Sequence, residues 1–103
     1  MIDEKDYETA FQIIVIAGDS KSDAMESIRA ARQGNLAKAR ELLDSADKKM
    51  IEVHKLQNNM IHEEARGNAV KVHIILVHAL DHITMAVMAR DLAAELVEMA
   101  AML

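Results

Sequence analysis

VHIILVHALDHITMAVMA, residues 72–89, is apolar on nearly every side yet carries His73, His78, Asp81 and His82. Read as a helix of about 3.6 residues per turn, His78, Asp81, His82 and Met85 stand at i, i+3, i+4 and i+7 and share one face. Two imidazoles and a carboxylate are thereby set among valine, leucine, isoleucine and methionine. Such groups are costly to bury unless each finds a hydrogen-bond partner, a proton or a metal, which makes them candidates for function. The run approaches the roughly 20 residues that span a bilayer. Asp81 near its middle and three histidines argue against insertion, because each ionisable group costs on the order of a few kcal/mol at that depth. A helix apolar all round is instead expected to be covered by protein. In a chain of 103 residues intramolecular neighbours cover only part of it, so self-association is expected.

The remaining composition points the same way. Hydrophobic residues make up 51% against 28% charged, proline is absent and aromatics are 2%. Ala, Leu, Met, Glu and Lys favour helix and strand formers are sparse, so an all-α fold follows. The length fits one domain over residues 1–103 with a single core. Absent cysteine excludes a disulfide framework and thiolate metal sites, and is compatible with a reducing cytoplasm. The net charge of -5 opposes nucleic-acid binding, as does the lack of a basic run with interleaved aromatics. A basic protein partner suits this surface better. The start, MIDEKDYE, has neither the basic residues nor the apolar stretch of a signal peptide, so the mature chain is expected to begin at Met1.

Upstream of residue 72 two further helices are expected. From Ile2 to Arg32, Tyr7, Ala10, Phe11, Ile14 and Ala17 recur at helical spacing. The segment GDSKSDA, residues 18–24, predicts a kink, with Asp19 or Ser22 capping a restarted turn. A glycine-containing loop near a phosphoryl group is the other reading, disfavoured because no Walker-type spacing follows. RQGNL at 32–36 places a C-terminal glycine before an N-cap asparagine, hence a tight turn. Residues 36–65 then form an amphipathic helix with Leu36, Ala39, Ala46, Met50 and Val53 on its apolar face. On that helix His54 is expected to be a satisfied core histidine and His62 a solvated one. Arg66, Gly67 and Asn68 make the second turn, and a third helix covers 69–101. Three helices with two short connections make an antiparallel up-down-up three-helix bundle, in which the eight methionines serve mainly as core filler.

Two chemistries compete for the cluster on the third helix. The i, i+4 imidazoles of His78 and His82, with Asp81 between them, can chelate a transition metal. Alternatively, one imidazole is a nucleophile: neutral at physiological pH, it presents one lone pair that accepts a phosphoryl group covalently. That role needs a hydrogen bond to hold the tautomer and donors for the phosphoryl oxygens. His73, about 140° round the helix from His78, is less obviously part of it.

The stretch LVHALDHITMAVMARDLAAELVEMA at 76–100, with HKLQNNMIHEEARG at 54–67 and FQIIVIAGDSKSDAMESIRAARQGNLAKARELL at 11–43, resembles the lactose/cellobiose (chitobiose) class of enzyme IIA of the bacterial sugar phosphotransferase system. The family's VHAQDH motif is matched by Val77, His78, Ala79, Leu80, Asp81 and His82. The resemblance implies that His78 is phosphorylated by the phosphocarrier HPr and passes the group to a cysteine of the cognate enzyme IIB. It also implies a cytoplasmic homotrimer, with Asp81 brought to the three-fold axis around a divalent metal ion, expected to be Mg. Physics agrees on one point: three carboxylates in an apolar interior cannot all stay ionised without protons or a cation. His82 is expected to support His78 as a hydrogen-bond donor. The chain departs from the family at Leu80, where the motif has glutamine, and at His73, where many members have serine. Gln57 is a candidate to supply the missing amide. An orphan regulatory homologue, and a metal-binding helical oligomer without phosphoryl transfer, are the alternative functions.

Overall fold

A computed structural model describes residues 2–103, and Met1, the expected start, lies outside them. Three helices follow in order: α1 (Glu4–Arg32), α2 (Leu36–Ala65) and α3 (Ile74–Ala101). They form the antiparallel bundle expected from the sequence, a rod of 54 × 22 × 16 Å. Helix α1 is the central member: it packs along both α2 and α3, which touch each other far less. The reason lies in its buried positions. Ala10, Ala17, Ala24 and Ala31 recur every seven residues with Ser20 and Ser27 among them, and such small side chains let two neighbouring backbones approach on adjoining sides. Ile13 of α1 and Val53 of α2 fill the space that the alanines leave, both fully buried. Tyr7 and Phe11, expected on the buried stripe, are 36% and 53% exposed. The close-packed alanine face has no room for rings, and Ile13 takes the core position instead.

The expected kink at residues 18–24 is absent, because α1 runs unbroken through GDSKSDA. Helix α2 satisfies the polar groups that made this segment resemble a loop. The Ser20 hydroxyl donates to the Ala46 carbonyl at 2.9 Å, and Asp23 accepts from the Ser45 hydroxyl and the Lys49 ammonium, each at 2.7 Å. With those partners supplied across the interface, the backbone has no need of a cap at Asp19 or Ser22.

The turns follow the sequence closely. Gly34 and Gly67 have φ of +84° and +90°, the left-handed region that a glycine enters without a Cβ penalty. Asn35 caps α2 by accepting from the Lys38 amide at 3.1 Å. Helix α1 starts with a reciprocal capping box between Asp3 and Asp6. The third helix begins later than its hydrophobic pattern indicates, at Ile74 rather than residue 69. His73 is its N-cap: the ring Nδ1 accepts from the Leu76 amide at 3.2 Å, and the ring lies against Tyr7 with centroids 4.7 Å apart. Hydrophobicity marks the apolar run, whereas the cap decides where helical hydrogen bonding begins.

Helix α3 is apolar on two opposite faces. Leu76, Ala79, Ile83, Ala86, Ala93 and Val97 are buried. About half a helical turn away, Val77, Met85, Met88, Leu92, Leu96 and Met99 are between 42% and 60% exposed. Arg90 leaves this helix to clamp Asp47 of α2 through two nitrogens, at 2.5 and 3.1 Å. Hydrogen bonding to Asp47 raises the guanidinium above its ordinary pKa. Among the described residues no helix is long and apolar enough to cross a membrane.

Candidate active site

His78 and His82 lie one turn apart on α3, so their rings meet edge to face. The two Nε2 atoms are 3.0 Å apart, with ring centroids separated by 4.5 Å and planes at 86°. At this distance one nitrogen donates and the other accepts, which requires opposite protonation at the two Nε2 positions. His78 is exposed and His82 partly buried. Ile83, the residue after His82, anchors this turn in the core at 3% exposure. The pair is therefore held by a rigid helix rather than a loop, and its outer member faces solvent.

His78 and Asp81 line a shallow concavity of about 550 Å³ with Ile74, Val77, Leu80 and Thr84. His82 forms the wall of a second, about 380 Å³, whose other residues belong to α1: Gly18, Lys21, Ser22, Met25, Glu26 and Arg29. The sequence marks the GDSKS segment as polar, but only packing sets it against His82. Asp81 is exposed and lies among Val77, Met88 and Leu92 on the outward face of α3, where it makes no hydrogen bond or ion pair among the described residues. A carboxylate alone in an apolar stripe is suited to a cation when that stripe is covered. One chain offers no group of three or more metal-ligating side chains among the described residues.

The other histidines stand apart. His54, expected in the core, is exposed and lines a groove between α2 and α3 with Asp47, Met50, Val87 and Arg90. His62 is exposed as expected. His73 serves α3 as its cap.

This arrangement of helices and histidines has relatives. Residues 8–101 match the family model of the lactose/cellobiose-specific IIA subunit of the phosphotransferase system. The chain belongs to that family. The lichenan-specific phosphotransferase enzyme IIA component of Bacillus subtilis is 36% identical over 98 residues, covering 95% of this chain and 89% of the relative. The lactose-specific EIIA component of Streptococcus mutans is 33% identical over 89 residues, 86% of either chain. Among solved structures, the cellobiose-specific enzyme IIA of Bacillus anthracis superposes with a TM-score of 0.92 at 34% identity, covering 98% of this chain and 92% of that one. The chitobiose IIA of Escherichia coli, solved in complex with HPr, superposes with a TM-score of 0.81 at 30% identity over 96% of each chain. This IIA subunit is thus a phosphotransferase carrier component of a sugar phosphotransferase system. Its two departures from the family motif now have positions. At His73, where the resemblance implies serine in many members, the ring nitrogen takes the N-cap role by accepting from the Leu76 amide. Leu80 sits between the His78 concavity and an apolar groove that also holds Gln57, Met60, Ile61, Val70 and Val72.

Proposed function

We propose that His78 accepts a phosphoryl group from HPr and passes it to a cysteine of a cognate enzyme IIB, in the uptake of a disaccharide of the lactose, cellobiose or chitobiose type. The 3.0 Å contact between the Nε2 atoms of His78 and His82 is the observation that carries this reading. With His82 as donor, the Nε2 of His78 keeps its lone pair and its proton stays on Nδ1. Nε2 is the ring nitrogen farthest from the backbone, the one a docked protein reaches. In the first transfer that lone pair forms the N–P bond while the donor's bond to phosphorus breaks, its electron pair remaining on the donor. In the second, a cysteine thiolate attacks phosphorus and the N–P electron pair returns to His78. The Nε2–H of His82, released from His78, turns to a phosphoryl oxygen. Positioning and charge stabilisation supply most of the acceleration in such transfers.

The functional assembly is a cytoplasmic homotrimer. The exposed apolar stripe of α3 supports it, since a patch this long is rarely left uncovered. Asp81, central on that stripe, is the residue that would hold a divalent ion shared by three copies. Carboxylate oxygens favour Mg, and the ion would neutralise the carboxylates and hold the subunits in register.

Intact-mass analysis tests the carrier role. After incubation with phosphoenolpyruvate, enzyme I and HPr, the protein gains one acid-labile phosphoryl group and His78→Ala gains none. An unlabelled wild-type chain beside demonstrably active HPr, or a labelled His78→Ala variant, would overturn it.

A further inference from the structure

We infer that Lys21 and Ser22 of α1 complete the phosphoryl site, binding with His82 the oxygens of a phosphoryl group carried on His78. This rests on the carrier reading above. A phosphoryl group brings close to two negative charges near pH 7, and on His78 it stands one turn from the carboxylate of Asp81. From Val72 to Ala89 the chain contains no lysine or arginine, so α3 has no cation of its own to offset that charge. The neighbouring helix does. Lys21 and Ser22 line the concavity whose far wall is His82, and the Nε2 of His82 is 3.0 Å from that of His78.

Three features set these two residues apart from ordinary helix surface. Lys21 is only partly exposed and forms no ion pair among the described residues, while Arg29 in the same concavity is engaged by Glu26. Of the four serines, Ser20, Ser27 and Ser45 donate their hydroxyls to Ala46, Ala24 and Asp23, whereas the Ser22 hydroxyl has no partner among the described residues. Gly18, one turn earlier, lines the same concavity, and the space beside its Cα is open, since a Cβ there would meet nothing within 4 Å.

The chemistry closes on these donors. As the lone pair of His78 Nε2 forms the N–P bond and the donor's bond to phosphorus breaks, three equatorial oxygens carry the spread charge. The imidazole N–H of His82, the ammonium of Lys21 and the hydroxyl of Ser22 donate to them. Lys21 reaches the group on its flexible four-carbon stem. No proton is transferred by any of the three. They hold the charge that develops and persists in the phosphorylated protein.

The test uses the full chain with phosphorylated HPr, rapid-quench transfer rates and the ³¹P resonance of the phosphohistidine. Lys21→Met should slow transfer about a hundredfold, the lower end for losing a donor to developing charge, and should move the ³¹P resonance. Lys21→Arg, which keeps the charge and its donors, should restore both. Ser22→Ala should slow transfer by a smaller factor and also move the resonance. If Lys21→Met only raised KM for HPr and left kcat and the resonance at wild-type values, the lysine would serve docking and the inference would fall. Wild-type values for both Ser22→Ala and a folded Lys21→Met would equally overturn it. Failure of the carrier reading is separate, because it is read in the unlabelled wild-type chain or the labelled His78→Ala variant.

Discussion

Leu92→Asp is the sharpest probe of the proposed association of three-helix subunits through α3. Leu92 sits on the outward face with 54% of its surface exposed, clear of the buried row that ends at Ala93 and Val97. Fully burying a leucine side chain is worth about 2 kcal/mol. Covering the remaining half therefore contributes about 1 kcal/mol per subunit, or about 3 kcal/mol over three copies. The substitution removes that term and brings three carboxylates into an apolar seam, where each carries a desolvation penalty of several kcal/mol. The sum, on the order of 10 kcal/mol, exceeds what a micromolar association equilibrium tolerates. Sedimentation equilibrium should give the wild type three times the 11.4 kDa of one chain, and Leu92→Asp the mass of a single chain. Far-UV circular dichroism should remain helical, because the side chain is not a core residue. A variant that stays at the wild-type mass, with the same resistance to dilution, would refute the assignment of this face to assembly.

Two further substitutions separate the remaining roles. Asp81→Leu should take the proposed divalent ion from one per three chains to none, measured by plasma mass spectrometry on dialysed protein; unchanged metal content would refute the assignment of Asp81 as its ligand. Ile13→Ala, at a position with no solvent exposure, should cost about 2–5 kcal/mol by the usual large-to-small penalty, read from urea unfolding at fixed protein concentration, since an oligomer's stability depends on it. A loss below about 1 kcal/mol would show that the space beside Val53 collapses freely.

Local signals carried most of the fold. Helix α2 matches the expected boundaries because its ends are written in consecutive residues: Gly34 and Asn35 before it, Gly67 after it. The pairing of His78 with His82 was likewise legible, since i, i+4 residues meet on any helix. Where partners lie far along the chain, local pattern does not reveal them. The GDSKSDA segment reads as a break because Ser20 and Asp23 prefer non-helical hydrogen bonds when alone. Their partners, Ala46, Ser45 and Lys49, lie more than 20 residues away. His54 reads as a core residue by its place beside an apolar stripe, but in the bundle it stands exposed at the groove between α2 and α3.

Composition, helical period and turn chemistry by themselves determined an all-α three-helix chain with two imidazoles and a carboxylate on one face of α3, because each of those features depends on residues within two helical turns of one another. Tertiary structure alone decided that α1 lies at the centre, that Lys21 and Ser22 stand against His82, and that the stripe carrying Asp81 faces outward. Those outcomes depend on which small residues let two backbones approach, a relation between helices that no local period encodes.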